Sequence, residues 1–525
     1  PFPYWLNCRY YARLYHHRLP IVMSDRTLIF SVFIVASCGL AYELIAGALA
    51  SYLLGDSILQ FSTIIGCYLF AMGIGSHLSK YVPEERVLDR FIEVELLVGL
   101  IGGVSAALLF VLFAWLSMPF RTILYVLVMM IGILVGMEIP LVMRLLHQRK
   151  TEFSELISRV LTFDYLGALA VSLLFPLVLA PTLGLARTGF LFGLLNALVA
   201  WWTIRRFKSQ LQQPQTQQYR AIAVIIFLVF GLATSDRLVR WSEQLIFADP
   251  IIHAQTTPYQ RLIVTRWQDD LRLYINGNLQ FSSRDEYRYH EALVHPALAS
   301  LPSAKKVLVL GGGDGLAVRE VLRYPNIQHV TLVDLDPAMT QLFSTNAELT
   351  ALNQHALTQK KVTVINDDAG KWLETHQGIY DVIIADFPDP SNFGLGKLYS
   401  VPMYRLIKQH LAQTGIFVVQ STSPYFAPRS FWCIDATLKE AGFFTYPYHA
   451  LVPSFGEWGY VLAKKQDNYQ TPTHYNLPMK FLDADSTRLM FSFPPDMQPI
   501  KVEANHLNNQ ALVHYFEQDW GRVIR

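Results

Sequence analysis

The distribution of hydrophobic and polar positions divides the chain into two unlike halves. Up to about residue 204, apolar runs of twenty or more residues alternate with short polar stretches, and a helix of that length can cross a bilayer. After about residue 250, short alternating runs give way to β-branched runs that are followed by helical patterns. This order predicts a multi-pass α-helical membrane domain, then a small antiparallel β domain, then an α/β Rossmann-like domain.

Apolar stretches long enough to cross a membrane lie at residues 28–54, 58–79, 91–116, 122–146, 160–183 and 185–204. A seventh stretch, residues 221–235, is short for a span. Lys and Arg cluster between spans two and three, four and five, and six and seven. The positive-inside rule then places the N-terminus in the cytoplasm and, if the seventh stretch crosses, the C-terminal half outside.

Five acidic residues lie in or at the edges of these spans, namely Glu43, Glu93, Glu95, Glu138 and Asp164. An ionisable group there is costly and is often functional, so these acids are compatible with a path for a polyamine or another cation. Positions near helix ends, or pairing with neighbours such as Arg144, are the favoured explanation. The glycines in the spans, Gly73, Gly75, Gly99, Gly102 and Gly103, are expected to be helix-packing contacts.

The same patterns give the predicted boundaries. Residues 1–22 lack the apolar core and cleavage site of a signal peptide, so Met23 is a candidate initiator. The predicted units are a leader (1–22), a transmembrane domain (23–204), a polar linker with the short seventh segment (205–249), a β-hairpin segment (250–284), a Rossmann-like domain (285–465) and a C-terminal extension (466–525).

Composition excludes several classes of function. Hydrophobic residues make up 52% of the chain, charged residues 16%, and the net charge is +2. No Lys/Arg stripe with interleaved aromatics occurs in the second half, which argues against nucleic-acid binding. The four cysteines, Cys8, Cys38, Cys67 and Cys433, are scattered, which predicts neither a disulfide framework nor a metal site.

The most informative stretch runs from Lys306 to Glu320, where an apolar strand pattern breaks into the loop that begins at Gly311 and then resumes as a helix. Such a glycine loop is typical of a nucleotide platform. Asp314 stands where an anionic phosphate would approach in a dinucleotide fold. The carboxylate therefore favours a cationic ligand.

Further acids follow the predicted strands. Asp334 comes about 20 residues after the loop, the spacing at which an acid holds ribose hydroxyls. The third strand ends in Asn366-Asp-Asp368, which is suited to accept a hydrogen bond from an exocyclic amine such as that of adenine, and Asp386 and Asp389 follow the fourth strand. Acids at adjacent carboxyl ends predict a cleft for an amine, a sulfonium ion or both. No His joins the cluster, so no metal is predicted.

The ordered set of motifs resembles the spermidine synthase (polyamine aminopropyltransferase) family between about residues 259 and 463, and the whole chain resembles its membrane-fused bacterial branch. The matching motifs are Thr257-Pro-Tyr-Gln260, Gly277-Asn-Leu-Gln280, Asp285-Glu-Tyr-Arg-Tyr-His-Glu291, Gly311-Gly-Gly-Asp-Gly315, Val333-Asp-Leu-Asp336, Asn366-Asp-Asp368 and Asp386-Phe-Pro-Asp-Pro390. The resemblance implies an S-adenosylmethionine-type catalytic domain.

The resemblance also implies residue roles. Decarboxylated S-adenosylmethionine is the implied co-substrate, with no tightly bound cofactor. Its implied contacts are Gln260 near the thioether arm, Gly311 in the loop, Asp314 on the aminopropyl ammonium, Asp334 on the ribose and Asp367 on adenine. Asp386 is the implied general base, and Gln280, Tyr289, His290 and Asp389 surround the amine, with His290 orienting its neighbours.

The implied reaction forms spermidine and methylthioadenosine from putrescine or a related diamine. A transporter or sensor that binds the amine without turnover, and a methyltransferase, are the alternatives. Two departures, Phe387-Pro388 inside the Asp-x-x-Asp-Pro motif and Phe455 in place of a Tyr that bonds the diamine, leave the acceptor amine open. The family suggests a homodimer.

The predicted location is the cell (inner) membrane, with the catalytic domain on the cytoplasmic side because the nucleoside co-substrate is made there. Seven spans would place that domain outside instead. We therefore expect segment 221–235 to be re-entrant or interfacial, or one span to be miscounted.

Overall fold

The computed structural model describes residues 25–54, 57–115, 120–147 and 153–523, and the predicted leader with Met23 lies outside them. The first half is a bundle of long helices. Its members are α1 (Asp25–Leu54), α2 (Ser57–Ser79), α3 (Val87–Trp115), α4 (Phe120–His147), α5 (Phe153–Leu174), α6 (Ala180–Arg206) and α7 (Pro214–Ile246). Six stretches of the described chain are long and apolar enough to cross a membrane, with residues 157–206 counted as one.

That longest stretch turns back on itself, as the sequence predicts. A π-helical turn, Phe175–Leu179, joins α5 to α6, and Gly184 has φ 74° and ψ 170°, a conformation that is open essentially to glycine alone. The Thr188 hydroxyl lies 3.5 Å from the Leu179 carbonyl oxygen that it donates to. α5 and α6 are therefore separate passes through the bundle.

Glycines let the helices approach closely. A Cβ on Gly75 of α2 would lie 1.9 Å from the Ile133 carbonyl oxygen of α4, and one on Gly99 of α3 would lie 2.8 Å from the Gly193 carbonyl oxygen of α6. The packing prediction is confirmed for these two, and for Gly102 and Gly103. It is wrong for Gly73, which has nothing within 4 Å of its Cβ position.

α7 is much longer than its apolar segment. Its 33 residues span about 50 Å. Arg220 near its start lies 3.8 Å from Glu93 of α3, whereas Asp236 near its end pairs with Arg187 at the start of α6. α7 thus runs antiparallel to α6 along the bundle. That segment 221–235 is re-entrant or interfacial, or that one span is miscounted, stays a prediction.

The second half contains two sheets. The first is antiparallel, in the order β1 (Ile251–Thr256), β2 (Arg261–Trp267), β3 (Asp270–Ile275) and β4 (Asn278–Ser282). Within the predicted β-hairpin segment, a two-residue turn joins β3 to β4, with φ 50° at Asn276 and 84° at Gly277. Positive φ at both positions is what a type I′ turn requires. Glu243 of α7 accepts a 2.7 Å bond from Arg261, so this sheet is attached to the bundle.

The second sheet has the order β10-β11-β9-β8-β5-β6-β7. Its strands are β5 (Lys306–Gly311), β6 (His329–Asp334), β7 (Val362–Asn366), β8 (Tyr380–Asp386), β9 (Leu411–Gln420), β10 (Phe444–Val452) and β11 (Gly456–Lys464). β5 to β9 run parallel, while β11 and β10 are added antiparallel. The strand order reverses between β8 and β6 around β5, which is where ligands bind in such folds.

Helices cover both faces of this sheet. They are α8 (Glu286–Ser300), α9 (Leu316–Leu322), α10 (Pro337–Thr345), α11 (Ala347–Leu352), α12 (Ala369–Thr375), α13 (Phe393–Gly396), α14 (Val401–His410), α15 (Pro428–Glu440), α16 (Ala484–Met490) and α17 (Ala511–Val523). The C-terminal extension packs on this domain. Asn505 is fully buried and bonds the carbonyl oxygen of Gly396, and Asp519 accepts from Arg429.

Candidate active site

The glycine loop lies between two strand-end carboxylates. Gly311, Gly312 and Gly315 all have positive φ, and a Cβ on Gly311 would lie 2.3 Å from the Asp386 carbonyl oxygen. On the other side, the Gly313 amide donates to Asp334 at 3.0 Å. A side chain at Gly311 would therefore push β5 and β8 apart at the point where the predicted acids meet.

Asp314 is buried beside this loop, and one of its oxygens accepts the Leu316 amide at 2.9 Å. Burial raises the pKa of Asp314 to about 6; His290 opposes that rise and Asp386 adds to it. The structure thus brings three predicted site residues within electrostatic range. A carboxylate in this setting gains most from a ligand that carries positive charge.

Asp334 is held by backbone amides on both oxygens, from Gly313 at 3.0 Å and Asp336 at 2.9 Å. Burial raises the pKa of Asp334 to about 6, although those two bonds oppose the rise. Asp334 therefore fixes the loop, and its remaining lone pairs are free to accept ribose hydroxyls.

Gln260 is hydrogen-bonded to Asp336. Its amide donates to Asp336 at 2.9 Å, and the Thr257 hydroxyl donates to the same oxygen at 2.9 Å. Asp336 is 2% exposed and also caps α10 through the Ala338 amide. Asp336 belongs to the Val333-Asp-Leu-Asp336 motif but had no predicted role, and it links the β1–β2 turn to the end of β6.

Asp367 lies at the outer end of the row of carboxylates that follow the strands. Its amide donates to the Asp334 carbonyl oxygen at 3.1 Å, and its carboxylate is 35% exposed, 3.9 Å from the Lys371 ammonium. The adjacent Asp368 caps α12 and pairs with Lys397 at 2.7 Å. Asp367 is thus the solvent-facing member of the row.

Asp386 ends β8 and is joined to α8. The Tyr289 hydroxyl donates to Asp386 Oδ1 at 2.6 Å. Burial raises the pKa of Asp386, while His290 and the Tyr289 hydrogen bond oppose that rise. The tyrosine therefore holds one oxygen of the carboxylate in place and leaves the other oxygen for a ligand.

His290 is held in place by its own helix. Its Nδ1 lies 2.9 Å from the Glu286 carbonyl oxygen and 2.8 Å from the Glu286 carboxylate. Burial by itself lowers the pKa of His290, but Glu286, Asp314 and Asp386 together outweigh burial and raise it. Arg319 of α9 in turn donates to both Glu286 oxygens at 2.9 Å. This buried network fixes α8 against the glycine-loop helix.

Asp389 is anchored less tightly. Its nearest donor is the Gln420 amide at 3.4 Å, and burial raises the pKa of Asp389 to about 7. The same Gln420 amide donates to the Phe387 carbonyl oxygen at 2.6 Å, and the Tyr399 hydroxyl donates to the Pro388 carbonyl oxygen at 3.0 Å. These contacts fix the Phe387-Pro388 turn, so the two acids project from a rigid segment.

Gln420 and Tyr399 were not predicted, because single Gln and Tyr residues outside a motif carry no sequence signal. Gln280, which was predicted, bonds only the carbonyl oxygens of Asn278 and Leu279. Phe455 packs its ring 6.3 Å from that of Tyr289. The apolar substitution at residue 455 therefore lies next to the predicted amine site.

The described part of the chain contains no group of three or more His, Cys, Asp or Glu side chains arranged to hold a metal ion. Its acids are instead spread along the strand ends, from Asp367 through Asp334 and Asp314 to Asp386 and Asp389. This arrangement suits an elongated cation-bearing nucleoside with an amine at one end.

Comparison with known proteins agrees with this geometry. Residues 286–475 match the protein family described as "Spermine/spermidine synthase domain". The chain is 66% identical over 511 residues to polyamine aminopropyltransferase 1 of Ralstonia nicotianae, covering 96% of this chain and 97% of that protein. It is 50% identical to the polyamine aminopropyltransferase of Leptospira interrogans, covering 95% and 99% respectively.

The crystal structure of spermidine synthase from Thermotoga maritima aligns with a TM-score of 0.43 and 22% identity, covering 46% of this chain and 84% of that one. The close relatives extend over nearly the whole chain, helical half included, and all carry one activity in their names. This chain therefore belongs to the polyamine aminopropyltransferase family of transferases.

Proposed function

We propose that this transferase moves the aminopropyl group of decarboxylated S-adenosylmethionine to putrescine, with spermidine and methylthioadenosine as products. The observation that carries the proposal is the pairing of Asp386 and Asp389 on one rigid turn, with Tyr289 bonded to the first. Two acids three residues apart suit a diamine, whose two nitrogens require a base at one end and a counter-charge at the other.

The proposed chemistry needs only these side chains. Asp386 accepts a proton from the attacking ammonium group, because an amine cannot attack while it is protonated. The freed nitrogen lone pair then forms a bond to the propyl carbon, and the carbon–sulfur bond breaks. Its electrons go to sulfur, which changes from a sulfonium ion to a neutral thioether.

The remaining residues bind and orient. Asp389 accepts charge-assisted hydrogen bonds from the distal ammonium group, and Asp314 faces the aminopropyl ammonium of the co-substrate. Asp334 takes the ribose hydroxyls and Asp367 the adenine amine, along the loop that begins at Gly311. Gln260 lies near the thioether arm, Gln280 borders the amine site, and His290 orients its neighbours.

Purified full-length protein with decarboxylated S-adenosylmethionine and putrescine should give spermidine and methylthioadenosine in equal amounts, measured by mass spectrometry. Cadaverine and spermidine, offered as alternative acceptors, test whether Phe455 and the Phe387-Pro388 turn shift the choice of amine. Absence of product with all three amines would overturn the proposed reaction.

We further propose that the seven helices are integral to the cell membrane, because six stretches of the described chain, with α5 and α6 in one of them, are long and apolar enough to cross it. In this proposal the catalytic domain faces the cytoplasm, where the nucleoside co-substrate is made. The Lys/Arg-rich helix ends near Arg90, Arg144 and Arg205 then lie on the far side, against the positive-inside tendency.

A C-terminal reporter decides the orientation. Green fluorescent protein fused after Arg525 should fluoresce if the catalytic domain is cytoplasmic, whereas an alkaline phosphatase fusion should be inactive. The opposite pattern would mean that the Lys/Arg distribution sets the orientation and that the co-substrate must reach the other side. A homodimer stays a prediction that sedimentation of the purified protein tests.

A further inference from the structure

The helical half contains a pair of carboxylates that the reaction does not use. Glu95 of α3 is 0% exposed and Glu138 of α4 is 2% exposed. Neither oxygen of Glu95 has a hydrogen-bond partner, and Glu138 Oε1 has none either. They differ from Glu93, which pairs with Arg90 at 2.5 Å. Helix-end pairing therefore explains Glu93 but not Glu95 or Glu138.

Neutral polar groups flank the pair. Glu95, Gly99 and Gly102 lie on one face of α3, because residues four and seven positions apart share a face. A Cβ on Gly102 would lie 2.6 Å from the Tyr42 ring of α1, and one on Gly99 would lie 3.1 Å from the Asn196 side chain of α6. The glycines thus let Tyr42 and Asn196 reach the face that carries Glu95.

These neutral groups also have unused hydrogen-bonding capacity. The Tyr42 hydroxyl is unpartnered on a residue 1% exposed, and both polar atoms of Asn196 are unpartnered on a residue 0% exposed. Tyr42 lies within electrostatic range of both Glu95 and Glu138. Four helices therefore direct unsatisfied acceptors and donors toward one interior region.

Other titratable groups complete the surroundings. The Cys38 thiol of α1 donates to the Phe192 carbonyl oxygen at 3.4 Å, and the Tyr68 hydroxyl of α2 donates to the Gly39 carbonyl oxygen at 2.8 Å. Asp164 of α5 lies within electrostatic range of Glu138. The groups that act electrostatically on Glu95 and Glu138 are thus acidic or neutral. No Lys or Arg is among them.

An unpartnered buried carboxylate is costly when ionised, so these acids hold protons until a cation compensates them. An ammonium group offers three donors and no acceptor, which matches Glu95, Glu138 and the Asn196 carbonyl oxygen. We propose that Glu95 and Glu138, with Tyr42 and Asn196, form an interior site that binds the ammonium end of an alkylamine in exchange for a proton.

Each ammonium group that enters is balanced by one proton that leaves, so the two acids together balance both ammonium groups of a diamine. The pair is closed off from solvent in this structure, so entry requires the helices to separate. The choice of a diamine as ligand rests on the proposed function, whereas the existence of the site does not. A site of this kind would give the helical half the same class of ligand as the catalytic half.

Full-length protein in lipid nanodiscs, with labelled putrescine in equilibrium dialysis, tests the proposal. Wild type should bind two diamines per chain, one in each half. Glu95→Gln and Glu138→Gln should each bind one, whereas the matched control Glu93→Gln on the same helix should bind two. A pH-sensitive dye should report about two protons released per interior diamine bound in wild type, and this release should be absent in Glu95→Gln and Glu138→Gln.

The transferase rate in detergent should be unchanged in all three variants, which shows that each variant folds. Equal binding in wild type, Glu95→Gln and Glu138→Gln would overturn the interior site. Displacement of the interior diamine by sodium chloride, with no effect of equal ionic strength from a bulky organic salt, would assign the site to inorganic cations and overturn the alkylamine ligand. If wild type makes no spermidine but still binds one diamine more than Glu95→Gln and Glu138→Gln, the interior site is supported and only the proposed reaction is overturned.

Discussion

The hydrogen bond from Tyr289 to Asp386 gives the most specific prediction about the chemistry. Tyr289→Phe removes the donor at 2.6 Å from the carboxylate and leaves the ring packing near His290 and Phe455 in place. A hydrogen bond to a charged group contributes about 1.5–3 kcal/mol. If that contribution orients the base, kcat/KM for putrescine should fall by roughly 10- to 150-fold.

The pH dependence of kcat/KM gives a second, independent test of this hydrogen bond. The Tyr289 bond opposes the burial-driven rise in the pKa of Asp386, so its removal should raise that pKa further. Because the base must be deprotonated to act, the acid limb of kcat/KM should move to higher pH.

Steady-state assays across the pH range with spermidine detected by mass spectrometry measure both effects. The matched control is Tyr287→Phe, two residues earlier on α8, whose ring lies 5.2 Å from the Lys480 ammonium and which should behave as wild type. An unmoved acid limb in Tyr289→Phe, or an equal loss in the control, would refute the reasoning.

Two further substitutions separate the binding roles. Asp389→Asn should raise the KM for putrescine by roughly tenfold or more, with a smaller effect on kcat, since it removes a counter-charge and not the base. The pKa of Asp389 is raised to about 7 in the folded chain, so wild type loses stability as pH rises from the unfolded value toward 7. Without ligand, Asp389→Asn should therefore have a higher melting temperature than wild type at pH 8 and the same melting temperature near pH 4. Identical melting curves for the two proteins at both pH values would contradict the burial argument. Asp314→Asn should weaken binding of decarboxylated S-adenosylmethionine by roughly 10- to 100-fold and leave methylthioadenosine binding unchanged, because only the former carries the aminopropyl ammonium. Calorimetry that finds equal losses for both ligands would remove Asp314 from that role.

Much of the catalytic fold was predictable because its signals are local. β6 ends at Asp334, one of the acids predicted to follow a strand, and the Asn276-Gly277 turn has the backbone that its residues favour. Acids that end parallel strands share one edge, so alternating strand and helix sufficed to bring Asp314, Asp334 and Asp386 together.

The rest depends on contacts that sequence spacing does not encode. Gln420 reaches the Asp386–Asp389 turn because β9 is adjacent to β8 in the sheet, a neighbour relation that no local pattern reveals. The length of α7 was missed because polar residues on either side of the apolar segment continue the helix. The groups that surround Glu95, likewise, come from three other helices.

The central claim is that Asp386 removes the proton from the attacking amine. Single-turnover measurement of spermidine formation by Asp386→Asn, with both substrates saturating, tests it most directly. The control is Asp381→Asn on the same strand, whose carboxylate accepts the Lys305 and Lys306 amides away from the glycine loop. A rate reduced by roughly 10²- to 10⁴-fold, with diamine and co-substrate still bound and the control near wild type, is the predicted result. A full rate in Asp386→Asn would contradict the assignment of the base.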